Sequence, residues 1–287
     1  MKIFGDIKKL ESLPPTKTLL MADPKYYEVS YAINVHMIDE KGELKSVDKS
    51  GALRQWLNLK REFENHNLKV EVVPAAAGLP DLVFTANQSL SLPGGRVLLS
   101  KMKSEQRAPE VEKLKSWYQK QGTINFYQME NIFESMGDLI WYSRKKLFFG
   151  GYGFRTDEQA LEEMYRVTNI PIIGLKLQME EFYHLDTCFS VLDEESLAYF
   201  PEAFDKQTNE FLKSWFKNII ILDEEEAINN FAGNCYCPDG KNVFLQNGSK
   251  KFEKNLRELN FNPVAVDTSE FIKGGGSVFC MKLPLFL

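Results

Sequence analysis

The chain alternates between amphipathic helical segments and short continuous apolar runs over its 287 residues. Segments in which apolar side chains recur every three or four positions begin near residues 51, 107, 157, 203 and 249. In the first, GALRQWLNLKREFENH, the side chains at helical spacing are Leu53, Trp56, Leu57 and Phe63. The pattern therefore predicts helices at intervals of about fifty residues, as in a repeat architecture.

The segments between these helices have the length and composition of strands. They are TLLMA, VEVV, RVLLS, LIWY, LFFGG, IPIIG, LAYF, NIIIL, NVFLQ, PVAV and VFCMKL. Repeated β/α units predict an α/β fold, and two arrangements fit: a doubly wound sheet, or a ring of five β/α modules around a central cavity. A doubly wound dinucleotide site would carry a Gly-rich loop after an early strand, whereas GGG at 274–276 follows a helix and precedes a strand.

Composition narrows the class of protein. Hydrophobic residues make up 44% of the chain, enough for a large core, and the net charge of −5 argues against a nucleic-acid partner. No apolar stretch approaches the roughly eighteen residues of a membrane span, and the N-terminal stretch has no signal-peptide pattern. We therefore expect a cytoplasmic protein with reduced thiols, and a single domain over 1–287, since no composition shift marks a boundary.

Four segments place polar residues in apolar, turn-rich surroundings. They are LPDLVFTANQS (79–89) with Asp81 and Asn87, FESMGDLIW (133–141) with Glu134 and Asp138, FYHLDTCFSVLD (182–193) with His184 and Asp186, and GGGSVFCMKL (274–283) with Cys280. A thiol together with an imidazole can act as the nucleophile and the base of covalent catalysis. Buried carboxylates need a cation, and carboxylates around a flat cation suit a guanidinium.

The segment 182–193 is predicted as a strand, because it is rich in aromatic and β-branched residues. On a strand, the two-residue spacing would place His184 and Asp186 on the same face. Cys280 is likewise predicted to lie in the last strand. The four cysteines match no zinc-site spacing, so no metal is expected.

Six motifs, in this order, resemble the guanidino-group-modifying enzymes, which include arginine deiminases, dimethylarginine dimethylaminohydrolases, amidinotransferases and arginine dihydrolases. They are YYEVSYAIN (26–34), PDLVFTAN (80–87), FESMGD (133–138), GGYGFRTD (150–157), FYHLDTCFSVL (182–192) and the glycine-rich turn before Cys280. The resemblance runs over nearly the whole chain. It implies the pentein fold, a pseudo-fivefold α/β propeller of ββαβ units around a central active site, in agreement with the five-module ring.

The resemblance also implies roles for individual residues. Cys280 matches the nucleophile, His184 the general acid and base, and Glu134 the carboxylate that holds the guanidinium and orients the histidine. The further matches are Asp81 and Asp186 as guanidinium contacts, and Arg107 and Arg155 as contacts of the amino-acid carboxylate. The role of Asp138 stays open, and the family assigns Cys188 no chemistry.

One residue departs from the deiminase and dimethylargininase pattern, which usually has an aspartate where this chain has Asn87. The FTAN version looks like the arginine dihydrolases. An amide donates as well as accepts, so it can hold a neutral ureido group for a second attack. We therefore expect an arginine dihydrolase that converts L-arginine to L-ornithine, carbon dioxide and ammonia.

Two alternatives stay open at this point. One is an arginine deiminase or dimethylargininase that releases L-citrulline, and the other is a non-catalytic pentein that serves as a binding scaffold. The expected partner is a small guanidino amino acid, either arginine or a methylated arginine. The resemblance implies no metal or organic cofactor, and an oligomer of identical chains stays open.

Overall fold

The computed structural model describes residues 1–286, which form short strands and helices in alternation. The strands are β1 (Lys2–Phe4), β2 (Thr18–Ala22), β3 (Lys69–Val73), β4 (Ser89–Leu92), β5 (Arg96–Leu99), β6 (Phe126–Gln128), β7 (Leu139–Trp141), β8 (Phe148–Tyr152), β9 (Ile172–Lys176), β10 (Phe189–Val191), β11 (Ser196–Tyr199), β12 (Asn218–Ile221), β13 (Asn242–Gln246), β14 (Asn262–Val266) and β15 (Leu283–Leu285). The helices are α1 (Lys49–Asn65), α2 (Ala108–Lys120), α3 (Glu158–Thr168), α4 (Lys206–Trp215), α5 (Glu224–Asn229), α6 (Lys250–Glu258) and α7 (Ser269–Ile272).

The strands form five separate small sheets, and three of them share one plan. In these three an antiparallel hairpin is followed by a helix and then by a strand parallel to the second hairpin strand: β4–β5–α2–β6, β7–β8–α3–β9 and β10–β11–α4–β12. The fourth pairs β13 with β14 through α6. The fifth joins the two ends of the chain, because β15 pairs with β2 and β2 with β3. The predicted modular α/β fold is confirmed.

A short turn precedes the first strand of each module, and these five central turns are hydrogen-bonded in a ring. The central turns are residues 80–88, 133–138, 184–188, 232–235 and 277–281. The links are Met136 N–H to the oxygen of Ala86 at 2.8 Å, Leu185 N–H to Asp138 Oδ1 at 3.0 Å, Asn234 Nδ2 to the oxygen of Asp186 at 3.0 Å, Phe279 N–H to the oxygen of Asn234 at 3.1 Å, and Ala86 N–H to the oxygen of Cys280 at 3.1 Å. Each module therefore presents one turn to a common centre.

The five helices predicted from periodicity all form, but the buried stripe of α1 only partly follows the apolar side chains at helical spacing. Ala52, Trp56, Leu59 and Phe63 are buried, at spacings of four, three and four. Trp56 and Phe63 were on the apolar stripe read from the sequence, whereas Leu53 and Leu57, also on it, are 46% and 51% exposed. A residue one position along a helix is turned by about 100°, which moves these two leucines off the buried stripe.

The predicted strand over 182–193 is wrong in its first half. The strand is only β10, and residues 185–187 form a 3₁₀ turn that His184 precedes. Thr187 stabilises the turn, since its hydroxyl and its N–H both donate to the oxygen of His184, at 2.7 and 3.2 Å. Such local side-chain-to-backbone bonds compete with strand pairing. Within residues 1–286 no helix is both long and apolar enough to cross a membrane.

Candidate active site

Cys280 lies in the fifth central turn and not in the last strand as predicted. The reason is Asn234, whose Oδ1 accepts from the N–H groups of Ser277, Phe279 and Cys280 at 3.1, 3.0 and 3.2 Å. Because three N–H groups of residues 277–280 bind one side-chain oxygen, this segment bends before β15 begins. The Nδ2 of Asn234 lies 3.2 Å from the sulfur of Cys280. One asparagine therefore fixes both the turn and the thiol.

The sulfur of Cys280 donates to the carboxylate of Asp186, with 3.1 Å between Sγ and Oδ2. Burial raises the pKa of Asp186 to about 7, while the bonds from Cys280 and Asn234 and the charge of Lys282 oppose that rise. Burial and the neighbouring Asp186 also hold the pKa of Cys280 well above its ordinary value. The resting pair is therefore a thiol that faces an acceptor, and the other oxygen of Asp186 is buried without a partner among residues 1–286.

The imidazole of His184 faces Glu134, with 2.9 Å between Nε2 and Oε2. Arg155 donates to the same carboxylate through Nη1 at 3.1 Å, and the main-chain N–H of Lys103 donates to Oε1 at 3.1 Å. Burial alone would raise the pKa of Glu134, but the bond to His184 and the charge of Arg155 outweigh it and lower the pKa to about 2. Glu134 is thus an ionised carboxylate that orients the histidine.

Asp138 connects the second central turn to the third. Its Oδ1 accepts from the N–H of Leu185 at 3.0 Å, and its Oδ2 lies 4.0 Å from His184 Nε2. Burial raises the pKa of Asp138 to about 6. Asp138 therefore supports the turn that carries His184. Cys188 is fully buried beyond that turn, with its thiol 3.6 Å from the oxygen of Leu185.

Arg107 is held mainly by Glu110, which lies three residues further on and is fully buried. Arg107 donates to that carboxylate through Nε and Nη2, to Asn87 Oδ1 through Nη1 at 2.9 Å, and to the main-chain oxygen of Asp81 at 3.3 Å. The oxygen of Asn87 is therefore engaged, and its buried Nδ2 has no partner in the described chain. The free group of Asn87 is a donor.

Part of this group of side chains lines a small cavity of about 240 Å³. The lining includes Asp81, Asn87, Arg107, Arg155 and Cys280, together with Tyr183, Ile33, Asn34 and Met37. Asp81 accepts from the hydroxyl of Tyr31 at 2.8 Å through one oxygen, and its other oxygen is buried without a partner. Burial raises the pKa of Asp81, against the charge of Arg107. Among residues 1–286, the cavity is thus lined by one unpartnered carboxylate oxygen, one unpartnered amide donor and a thiol that is hydrogen-bonded to Asp186.

Glycine at position 137 allows the second central turn to approach its neighbours. A Cβ there would lie 2.6 Å from Asn87 Nδ2 and 3.0 Å from the imidazole carbons of His184. The side chains of Asn87 and His184 therefore lie next to each other across this residue. In residues 1–286 no three His, Cys, Asp or Glu side chains are placed to hold a metal ion together.

The sequence from residue 24 to residue 287 matches the family model described as N,N dimethylarginine dimethylhydrolase, eukaryotic. The chain belongs to this family. A dimethylarginine dimethylaminohydrolase of Mycobacterium tuberculosis is 34% identical over 95% of this chain and 87% of its own length. The match to the bifunctional arginine dihydrolase/ornithine cyclodeaminase ArgZ of Synechocystis sp. is 32% identical over 92% of this chain, which spans only 37% of that protein.

The fold agrees with a solved structure of the N-terminal domain of ArgZ bound to product. The TM-score is 0.86 at 30% identity, over 93% of this chain and 97% of that one. The dimethylarginine dimethylhydrolase family and these relatives confirm the pentein fold and a hydrolase that acts on C–N bonds of amidines. The alternative of a non-catalytic scaffold is thereby set aside.

The structure brings together every site residue predicted from the sequence. Cys280 contacts Asp186, His184 contacts Glu134, and Asn87 and Asp81 lie in the cavity with Arg107 and Arg155. The sequence analysis missed Asn234, although FAGNC places this polar residue in a turn before a strand, as the other site segments do. It also missed Glu110, which follows Arg107 at the i+3 spacing of a helical ion pair.

We expect Asn234→Ala to lower both stability and activity. The change leaves the buried N–H groups of Ser277 and Cys280 without their acceptor, at a cost of roughly 1–3 kcal/mol each, and removes the donor beside the sulfur. Thermal unfolding and the initial rate of arginine hydrolysis measure the two effects.

Asn209→Ala is the matched control, because Asn209 donates to the oxygens of Pro201, Phe204 and Asp205 away from the cavity. It should lower the unfolding midpoint without changing the rate per folded molecule. Equal activity losses in the two variants would contradict a specific role for Asn234.

Proposed function

We propose that the chain is a cytoplasmic, single-domain arginine dihydrolase, which converts L-arginine to L-ornithine, carbon dioxide and ammonia with Cys280 as nucleophile. The observation that carries this proposal is the cavity lined by the thiol of Cys280, the amide of Asn87 and the carboxylate of Asp81, with Asp186 hydrogen-bonded to the thiol. ArgZ, a relative over most of this chain, is named for an arginine dihydrolase activity. We further propose that no metal or organic cofactor takes part.

Substrate binding follows from the unsatisfied acceptors. A buried carboxylate oxygen without a donor is costly, and a guanidinium presents N–H groups in a plane that suit such oxygens. Asp81 has one unpartnered oxygen at the cavity, Asp186 has another beside the thiol that it binds, and Glu134 supplies a further negative charge. Arg107 and Arg155 each have guanidinium N–H groups that are not used in bonds to the protein, and these can donate to the substrate carboxylate. This would disfavour guanidino compounds that lack a carboxylate.

The first chemical step forms a covalent intermediate. With the cation bound, the thiol proton of Cys280 passes to the carboxylate of Asp186, which already accepts its hydrogen bond, and the thiolate attacks the guanidino carbon. Protonated His184, oriented by Glu134, delivers a proton to the departing nitrogen, so ammonia leaves and a thiouronium remains. Neutral His184 then takes a proton from water, whose oxygen attacks the same carbon. The carbon–sulfur bond breaks and citrulline forms. General acid–base help of this kind contributes about 10²–10⁴-fold.

The second cycle depends on Asn87. The Nδ2 of Asn87 is unpartnered and lies beside Gly137 and His184, where it can donate to the ureido oxygen of citrulline. A second attack by the thiolate expels ammonia, hydrolysis leaves the carbamate of ornithine, and this loses carbon dioxide. An aspartate at the same position could still accept from Arg107, but it would offer no donor to the ureido oxygen.

We expect Asn87→Asp to change the product from ornithine to citrulline. The variant keeps an acceptor for Arg107 and loses the donor that retains neutral citrulline. Amino-acid analysis after incubation with arginine measures whether ornithine or citrulline is the product. The unchanged protein should give ornithine with two ammonia molecules per arginine, and the variant should give mainly citrulline. Citrulline as the sole product of the unchanged protein would contradict dihydrolysis, and ornithine from both proteins would contradict the role of Asn87.

A second candidate is hydrolysis of a methylated arginine to citrulline, which the family and the relative from Mycobacterium tuberculosis favour. The same cavity would bind the methylated arginine, and dimethylamine would leave in place of ammonia. Incubation with asymmetric dimethylarginine separates the candidates. A kcat/KM for dimethylarginine above that for arginine would replace the first proposal by the second.

A further inference from the structure

Glu110 is a buried glutamate that the chemistry above does not use, although it binds the arginine that contacts Asn87. It lies in the first turn of α2, is fully buried, and does not line the cavity. Its Oε2 accepts from Nε and Nη2 of Arg107 at 3.1 and 2.9 Å, and its Oε1 lies 3.3 Å from the same Nε. Gln88 donates to the carboxylate from the other side, with 2.6 Å between Nε2 and Oε2. Glu110 therefore fixes one side of the guanidinium of Arg107.

The side of Arg107 that Glu110 leaves free contacts Asn87. Nη1 of Arg107 lies 2.9 Å from Oδ1 of Asn87. A guanidinium only donates hydrogen bonds, whereas a primary amide has one accepting oxygen and one donating nitrogen. The amide therefore turns its oxygen to Arg107, and its NH₂ group lies on the other side, beside Gly137 and His184. The contact with Arg107 decides which end of the amide is offered to the substrate.

The amide of Asn87 is held in this orientation by Arg107 alone. Among residues 1–286, no group bonds its buried Nδ2, and its Oδ1 accepts only from Nη1 of Arg107. Half a turn about the last side-chain bond would exchange the oxygen and the nitrogen at nearly the same positions. The rotated amide would offer the substrate an acceptor, which suits an N–H group of arginine but not the ureido oxygen of citrulline.

We propose that Glu110 is a positioning residue that determines product specificity: by holding the guanidinium of Arg107, it keeps the amide nitrogen of Asn87 turned to the substrate, so that citrulline is retained. This inference rests on the dihydrolase reaction proposed above. Glu110 touches neither substrate nor nucleophile. Without its carboxylate, the guanidinium is free to move towards Asp81, whose main-chain oxygen it already contacts at 3.3 Å and whose side chain has an unpartnered oxygen.

The test compares the binding of arginine and of citrulline in the absence of turnover. Both amino acids are titrated calorimetrically into Cys280→Ser and into Cys280→Ser combined with Glu110→Gln. Glutamine has one uncharged acceptor oxygen, and its NH₂ group cannot accept from Arg107 or Gln88. We expect the ratio of the citrulline Kd to the arginine Kd to rise by about tenfold, because one hydrogen bond to the ureido oxygen is lost. A merely structural role of Glu110 would weaken both ligands alike or neither.

Glu253→Gln is the matched control, because Glu253 is also a buried glutamate in the first turn of a helix and also binds an arginine, Arg257, at 2.9 Å. It belongs to α6 and lines none of the cavity. We expect this variant to lower the unfolding midpoint and to leave the Kd ratio unchanged. If Glu110→Gln does not fold, Glu110→Asp replaces it, since aspartate keeps the charge but is one carbon too short to hold Arg107 in the same place.

The route through Asn87 is tested in Asn87→Asp, whose carboxylate offers acceptors in either orientation. In that background, Glu110→Gln should leave the Kd ratio unchanged. An unchanged ratio in the folded Glu110 variant with Asn87 intact would overturn the proposal, and so would an equal rise with Asn87→Asp. Citrulline as the sole product of the unchanged protein would overturn the proposed function instead, while the two Kd values still report on Glu110.

Discussion

Cys280→Ser is expected to slow arginine hydrolysis by about 10⁴-fold or more, the scale seen when a covalent nucleophile is removed. The hydroxyl can still be held by Asp186 and Asn234, so the cavity and its charges persist. A serine hydroxyl is far harder to ionise than a thiol and has no adjacent base here other than a carboxylate. Arginine should therefore still bind, with a Kd within about tenfold of the unchanged protein, and remain unconverted.

Cys237→Ser provides the control for Cys280→Ser. Cys237 is half-buried and lines a separate pocket of about 700 Å³. None of the carboxylates proposed to hold the substrate lines that pocket. We expect full activity from this variant. Calorimetric titration with arginine and initial rates of ammonia release measure binding and turnover separately. Retention of turnover in Cys280→Ser would remove the covalent mechanism, and loss of both binding and folding would leave Cys280→Ala as the variant to measure.

Glu134→Gln is expected to have the second largest effect, on both activity and stability. The change leaves the guanidinium of Arg155 buried without its counter-charge, which costs roughly 3–5 kcal/mol. It also leaves one uncharged acceptor oxygen where two charged ones bind His184, Arg155 and the N–H of Lys103. The loss of oriented acid–base catalysis should lower kcat by about 10²–10⁴-fold. Chemical denaturation and steady-state kinetics measure the two quantities.

Glu163→Gln is the matched control, since Glu163 is also buried and also accepts several hydrogen bonds, from the N–H groups of Glu130 and Asn131 and from the hydroxyl of Tyr127. It belongs to α3 and lines none of the cavity. We expect it to lower the free energy of unfolding and to leave kcat of the folded protein intact. If the two variants lose kcat alike, general destabilisation explains the effect and the role of Glu134 fails.

The pKa of Glu134 also predicts how stability depends on pH. Folding lowers it from about 4.3, the usual value for glutamate, to about 2. The stabilisation is therefore fully present above about pH 4.3 and is lost as the pH falls through about 2, where the folded carboxylate takes up its proton. Glu134→Gln should remove this component, so its free energy of unfolding should fall less steeply than that of the unchanged protein between these pH values.

The modular fold was predictable because its signal is repeated along the chain. Periodic helices and short apolar runs recur at similar intervals, and each interval became one sheet with one helix. The sequence predicted less well which face of α1 is buried. Leu53 and Leu57 share the periodicity of the buried residues, and only the tertiary contacts show that Ala52 and Leu59 define the buried face.

The errors at the site arise from hydrogen bonds that local composition does not show. His184 and Cys280 were assigned to strands, but both lie in turns: the turn after His184 is held by the nearby Thr187, and that of Cys280 by a distant residue. For Cys280 that partner is Asn234, which lies 46 residues away in the sequence. Periodicity cannot report a bond between distant turns. The polar residues themselves were detectable, because carboxylates and an imidazole inside apolar segments need a reason to be there.

Mass spectrometry of the protein quenched during turnover with arginine tests the central claim most directly, that the sulfur of Cys280 attacks the guanidino carbon. The account predicts a covalent adduct of substrate mass, less one ammonia, on the peptide that contains Cys280 and on no other cysteine peptide. The adduct should be absent from Cys280→Ser and should accumulate in a variant slowed in hydrolysis. Turnover of arginine without such an adduct, or with the adduct on Cys188, Cys235 or Cys237, would contradict the account.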